Sequence, residues 1–276
     1  MASTATPAEH WNAVARAWDS SSDYVESQTL AATEALVAAA DVRPGDRVLE
    51  LAAGPGTLGG RWSELVGPTG HVVVSDVAPS MVEIAQYRNA GHGNVEVAVL
   101  DASSIGRPDD SFDVVVCRMG LMFTLDPASA FGEIHRVLRA GGRFASLTWA
   151  GIEDNPWMTC VGMAAMMNGL VAGGSPVGPG GIFSLGDPVH LAALAEDAAF
   201  LDVVIGEIPT IFHAESIETH VERVSSLAGP LAALFAAATP GQLAAVHQTA
   251  AQLAAEHTSD RGVALPGRAI LAAGHV

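Results

Sequence analysis

From residue 46 to about 150, short apolar runs alternate with segments whose apolar residues recur every three or four positions. The runs DRVLELA, HVVVSDV, VEVAVLD, FDVVVCRM and RFASLTW are rich in Val and nearly continuous, the pattern of strands covered on both faces of a parallel sheet. Between them the periodicity predicts helices over 57–66, 79–90 and 127–139. Pro79 stands where a first-turn proline is tolerated, and Gly141-Gly142 where a helix must stop. The alternation predicts a doubly wound α/β core.

Three segments lie outside that core. Residues 8–40 read as one or two helices, with Trp11 and Trp18 seven apart and so on roughly one face. Residues 151–186 are rich in Gly, Met and Pro, with GGSPVGPGG at 173–181 as a flexible connection. A helix near 187–199 opened by Asp187-Pro188 and a strand LDVVIGEI at 201–208 follow. Residues 215–258 then read as two or three Ala-rich helices, and RAILAAGHV as a closing strand. Parallel α/β sheets bind ligands beyond the carboxyl ends of their strands, and the segments after 149 and after 208 leave from that edge. The expected organisation is a helical cap segment at 1–45 and a core domain at 46–276 with cap insertions at about 151–186 and 209–258. Trp11, Trp18, Trp149 and Trp157 fall in or next to these caps, although ordinary packing on the sheet accounts for most such aromatics and for Met163, Met166 and Met167.

Composition narrows the function. At 276 residues, 49% hydrophobic and 16% charged, the chain suits one α/β domain with an added layer. Its net charge of −17, with 13 basic residues that are all Arg, excludes a phosphate-backbone partner such as nucleic acid. The absence of Lys removes Walker-type phosphate loops, Schiff-base chemistry and Tyr-x-x-x-Lys dehydrogenases. Cys117 and Cys160 form no C-x-x-C pair and no metal-ligand spacing, so no metal is expected and a reduced, cytoplasmic protein is. The start, MASTATPAEH, has neither the basic region nor the apolar block of a signal peptide. The stretch at 158–174 is shorter than the roughly 20 residues of a membrane span and is broken by Asn168, so no membrane anchor is expected.

The chemistry concentrates at VLELAAGPGTLG, residues 48–59. A glycine-rich turn between strand and helix lets a ligand lie against bare backbone. By spacing alone it is G-x-G-x-x-G with Asp76 twenty residues past Gly56, a dinucleotide fingerprint as much as anything else. Three carboxylates sit at successive strand ends: Glu50, Asp76 and Asp101. An acid at the second strand end suits a ribose diol and serves NAD or S-adenosylmethionine equally. Asp101 suits an adenine exocyclic amine, and Glu50 an α-amino group.

These residues resemble the class I S-adenosylmethionine-dependent methyltransferases, in particular the group like the ubiquinone/menaquinone-biosynthesis enzymes. ELAAGPG at 50–56 is similar to their E/D-x-G-x-G-x-G loop, HVVVSDVAPSMVEIAQ to the second-strand acid with its helix, LDASSIGRPDDSFDVVVCR to the adenine-side acid with the fourth strand, and IHRVLRAGGRFASLTW to the R-V-L-x-P-G-G unit. The likeness is close over about 42–150. Ala52 replaces the first glycine and Ala140 the usual proline. The resemblance implies a mostly parallel, seven-stranded, Rossmann-like sheet with its last strand antiparallel and helical caps over the carboxyl edge. It also implies S-adenosyl-L-methionine as cofactor. Glu50 and the backbone of Ala52, Gly54 and Gly56 would hold the amino-acid part, Asp76 the ribose, Val77 and Met81 the adenine face, and Asp101-Ala102 the adenine edge. Arg118 and Met119 would line the methionine side.

Methyl transfer from a sulfonium is an in-line displacement, so the enzyme's main work is alignment in a dry site. The acceptor expected is small and largely apolar, reacting at O, C or N, with His213 a weak candidate base and His220 a weaker one. Non-methylating chemistry on the same fold and a NAD-type enzyme are the alternatives.

Overall fold

In the computed structural model, which describes residues 6–171 and 173–276, the predicted alternation closes into a single sheet. The strands are β1 (Arg47–Leu51), β2 (His71–Asp76), β3 (Val95–Val99), β4 (Phe112–Arg118), β5 (Leu138–Trp149), β6 (Leu201–Ala214), β7 (Thr258–Ser259) and β8 (Gly262–His275). They run in the order β3-β2-β1-β4-β5-β8-β6, with the short β7 paired to β8. Strands β1 to β5 are mutually parallel, and β8 lies antiparallel between β5 and β6. This is the mostly parallel, doubly wound sheet expected, with its last strand antiparallel. Val72, Val73 and Val74 of β2 and Val114, Val115 and Val116 of β4 are all buried, which is why these strands read as unbroken apolar runs.

Ten helices among the described residues flank it: α1 (Pro7–Ser20), α2 (Ser22–Ala40), α3 (Gly59–Val66), α4 (Pro79–Asn89), α5 (Pro127–Val137), α6 (Pro156–Met167), α7 (Pro188–Asp197), α8 (Ile217–Leu227), α9 (Gly229–Ala237) and α10 (Pro240–Leu253). Most carry proline in the first turn, where its missing N–H is no loss. Thr6 with Glu9 and Thr239 with Gln242 close capping boxes on α1 and α10, and Asp126, Asp187 and Ser216 cap α5, α7 and α8. Helix α1 packs on α4, α8 and α9, while α2 crosses β4, β5, β6 and β8.

The structure extends two strands. The predicted strand at 201–208 runs on to Ala214, and the closing strand begins at Gly262 rather than 268. Pro209 does not stop the strand, because β6 is the edge of the sheet, where a residue without an N–H is tolerated. Pairing continues from Pro209 with Arg268 to Ala214 with Val263. Residues 209–214 therefore belong to the sheet, and the helical layer that follows begins at α8. No helix among the described residues is long and apolar enough to cross a membrane. Of the N-terminal stretch read for a signal peptide, MASTA lies outside the described residues.

Candidate functional site

Strand β1 delivers Glu50, and the chain then turns through three left-handed residues: Ala52 at φ 51°, Gly54 at 56° and Gly56 at 72°. Glycine takes such angles freely, whereas an L-residue costs roughly 1–2 kcal/mol there. Met119, just past β4, is also left-handed at φ 58°. Since Leu51 pairs with Cys117 across the ladder, the two strained residues follow the ends of neighbouring strands, just beyond Glu50. Strain of this kind persists only where surroundings over-determine it, and it collects at ligand sites. The Ala52 methyl fits because residue 120 is glycine: a Cβ there would collide with it and with Cys117 Sγ. Gly56 and Gly59 also serve packing, since a Cβ on either would strike Asn89 of α4. Asn89 Nδ2 donates to the carbonyls of Gly56 (3.0 Å) and Ala85 (2.9 Å), locking α4 to the loop.

The carboxyl of Glu50 is 2% exposed, and its Oε2 has no hydrogen-bond partner. Burial pushes its pKa from the ordinary 4.5 to about 7, opposed by the Arg118 charge and the Trp62 indole N–H and reinforced by Glu26 and Asp76. Trp62 Nε1 stands near enough to act on that equilibrium, yet it too lacks a partner of hydrogen-bond geometry. Arg118 offsets the burial of Glu50 only in part, because it is engaged elsewhere. Its guanidinium is bidentate on Glu26 of α2, at 2.9 and 2.6 Å, and also donates to Thr33 Oγ1 and Thr57 Oγ1. Thr57 Oγ1 in turn donates to Glu26 Oε1 at 2.7 Å. Burial works to raise the pKa of Glu26, but these Arg118 and Thr57 contacts outweigh it and hold the carboxyl below its usual range.

Asp76 ends β2 with its carboxylate turned back to the loop, accepting from Gly54 N–H (Oδ2, 2.9 Å) and Ala78 N–H (Oδ1, 2.9 Å). Burial still raises its pKa against these N–H groups and that of Val77. Met81 is buried beneath α1, packed with Ala15 and Ala78, and Trp11, Trp18 and Ile84 close the cluster. Asn12 of α1 caps α4 by accepting from Ser80 N–H at 2.9 Å. Helix α1 thus lies directly over the face that Val77 and Met81 offer. Asp101 is exposed, its Oδ1 accepting from Ser103 N–H at 2.8 Å in a tight turn beside the half-buried Ala102.

The structure therefore brings Glu50, Asp76, the loop and Arg118 together and sets Asp101 at the rim. His213, the weak candidate base, sits on the edge strand. It lies inside β6 on the exposed side, alternating with buried Phe212 and Ala214, while its backbone N–H donates to Gln28 Oε1. His220 is buried, with Nε2 2.6 Å from the Trp157 carbonyl. Two site residues escaped the sequence reading. Thr57 directly follows the glycine loop, which could have flagged it, but Glu26 is one acid among several on α2 and carries no pattern.

Buried carboxyls without a matching cation, beside backbone opened by glycine, suit a ligand that is itself positively charged and amino-acid-like. S-adenosylmethionine carries a sulfonium and an ammonium against one carboxylate, so the residues present fit it.

Residues 48–142 match the profile of a family described as a methyltransferase domain. The ubiquinone/menaquinone biosynthesis C-methyltransferase UbiE of Hahella chejuensis is 39% identical over 112 residues, 40% of this chain and 45% of that protein. The chain thus spans less than half the length of that relative. Among solved structures, the YcgJ protein of Bacillus subtilis has a TM-score of 0.58 at 20% identity, covering 88% of this chain and 96% of that one. The [4+2]-cyclase SpnF has a TM-score of 0.52 at 19% identity, covering 95% and 94%. At such identities these two speak for the fold alone. Residues 48–142 thus match a methyltransferase-domain family, and the same part of the chain is similar to the ubiquinone/menaquinone biosynthesis C-methyltransferases.

Proposed function

We propose that the chain transfers a methyl group from S-adenosylmethionine to a small, largely apolar acceptor at O, C or N. The observation that carries this reading is Glu50, a buried carboxyl with an unpartnered Oε2 beside the glycine loop, whose neighbouring cation Arg118 is already neutralised by Glu26. Glu50 takes the ammonium, the backbone of Ala52, Gly54 and Gly56 holds the rest of the amino-acid part, and Asp76 takes the ribose. Val77 and Met81 lie along the adenine, Asp101 and Ala102 at its edge, and Arg118 with Met119 on the methionine side. The cofactor, when bound, supplies an electrophilic methyl. The chain supplies alignment, and α1 with its tryptophans excludes water from the roof of the site. The net charge of −17 speaks against nucleic acid as acceptor, and the two buried, unpaired thiols suit the cytoplasm.

Calorimetric titration with S-adenosylmethionine tests the reading. Wild type is expected to bind it and not NAD, and Asp76→Ala to weaken binding about tenfold or more through loss of a charge-assisted hydrogen bond. Unchanged affinity would sink the ribose assignment, and binding of NAD instead would sink the cofactor. One observation favours a second reading: the fold likeness extends to a cyclase, and fold does not fix chemistry. Formation of S-adenosylhomocysteine during turnover separates methyl transfer from chemistry that leaves the cofactor intact.

A further inference from the structure

Glu50 lies in β1 in register with Val74 of β2 and Val116 of β4. Residues in register on neighbouring strands face the same side of a sheet, so two valine side chains flank Glu50 and neither can donate to it. Two groups from outside that row do act on the carboxyl: the Arg118 guanidinium and the indole N–H of Trp62. Arg118 is held by Glu26, Thr33 and Thr57, which leaves the indole.

Trp62 sits in the middle of α3, which packs on β1 and β2, and the residue is fully buried. Its Nε1 has no hydrogen-bond partner, and neither has Glu50 Oε2. Buried polar atoms are almost always satisfied, so a neighbouring donor and acceptor both left open need an account. A protonated carboxyl offers an indole only a neutral acceptor, whereas a carboxylate makes a charge-assisted bond about twice as strong. The pair is thus complementary in the ionised state of Glu50.

The charged and titratable groups that face Glu50 are Arg118 and Cys117 on β4, Glu26 on α2 and Asp76 on β2. Both acids oppose its ionisation and Arg118 favours it, while the Cys117 thiol, pushed up to about 12 by burial, stays neutral. Among the described residues no second cation acts on the carboxyl, so the positive charge that ionises it has to come with the ligand.

We propose that Trp62 is a positioning residue of the cofactor site: Glu50 gives up its proton to solvent and takes the ammonium of S-adenosylmethionine on one oxygen, while the Trp62 indole N–H closes on Oε2. This rests on the reading of the chain as binding S-adenosylmethionine and adds to it a residue outside the glycine loop. The carboxyl O–H bond breaks, its electron pair stays on the carboxylate, and one proton is released for each cofactor bound. At a pH where the free carboxyl is protonated, binding has to drive that release, so affinity climbs with pH and then levels off. A donor that stabilises the carboxylate moves the levelling point to lower pH.

Calorimetric titration with S-adenosylmethionine between pH 5.5 and pH 7.5 is the test. Wild type is expected to tighten about tenfold per pH unit at the acid end and to level off near pH 7. Trp62→Phe keeps an aromatic ring and loses the N–H. It is expected to bind about tenfold more weakly at pH 6 and to be tightening still at pH 7.5. Glu50→Gln has no proton to release and is expected to bind weakly at every pH in the range. No loss in Trp62→Phe, or a loss by the same factor at every pH, which is what packing alone would give, overturns the proposal. Should that variant fail to fold, ¹H–¹⁵N spectra of the ligand-free wild type decide. One of the five tryptophan indole N–H signals should move downfield with a midpoint near pH 7 and stand still in Glu50→Gln. If none moves, or if the movement survives Glu50→Gln, the role of Trp62 is refuted. Failure of wild type to bind S-adenosylmethionine at any pH sinks the cofactor assignment instead, and the ligand-free spectra still judge Trp62.

Discussion

Replacing Glu50 by Gln should make the protein more stable, and increasingly so as pH rises. The folded state holds this carboxyl protonated up to about pH 7, against 4.5 in the unfolded chain. Between those values the native state binds a proton that the unfolded state has released, so stability falls as pH rises through the window. At about 1.36 kcal/mol per pH unit the full penalty is about 3 kcal/mol, complete above pH 7 and absent well below 4.5. Glutamine has nearly the same shape, carries no charge and can accept from the Trp62 indole, so it escapes the penalty. The advantage of Glu50→Gln over wild type is expected to grow by about 2 kcal/mol between pH 5.5 and pH 8. Urea unfolding of the ligand-free proteins at several pH values measures this directly. The same variant should bind S-adenosylmethionine more weakly, since it has lost the charge that faces the ammonium. A stability difference that does not change with pH, or a Gln variant less stable at pH 8, would refute the account of Glu50 as an uncompensated buried acid.

Two further outcomes follow from the same geometry. Glu26→Gln removes the charge that neutralises Arg118, whose side chain is 14% exposed. The loss should be about 2 kcal/mol, less than for a fully buried pair because Glu26 is 30% exposed. Because Glu26 also pushes the Glu50 pKa upward, this variant should shift the pH dependence of stability to lower pH, and an unmoved profile would exclude coupling between them. Gly59→Ala should destabilise by about 1–3 kcal/mol, since its Cβ would strike the Asn89 side chain that ties α4 to the loop, and a thermal melt unchanged within error would contradict that packing.

The sheet was legible because its strands are buried on both faces and leave uninterrupted valine runs, and the helix starts because proline and capping residues mark them locally. Glu50, Asp76 and the loop glycines were readable for a similar reason: each sits at a fixed offset from a strand end. Glu26 was not, because it reaches Arg118 across 92 positions in sequence and only the packing of α2 brings them together. The continuation of the 201–208 strand to Ala214 was not legible, because whether a strand runs on through a proline depends on its being central or at an edge, which is a property of the sheet. The place of His213 follows from that continuation: as a residue of the strand it alternates outward, away from where a loop residue could have turned.

The position of β8 bears on how the molecule assembles. Strand β6 hydrogen-bonds to no strand but β8 among the described residues, so its fourteen residues are unpaired on both edges until positions 262–275 are in place. During synthesis β1 to β5 can associate as soon as they emerge, but β6 must wait while α8, α9 and α10 are made. An open edge of that length is a template for pairing with another chain, and closing it depends on contacts distant in sequence, which form slowly. A nascent or C-terminally shortened chain would therefore fail first by association through β6, even with the loop around Glu50 correctly formed.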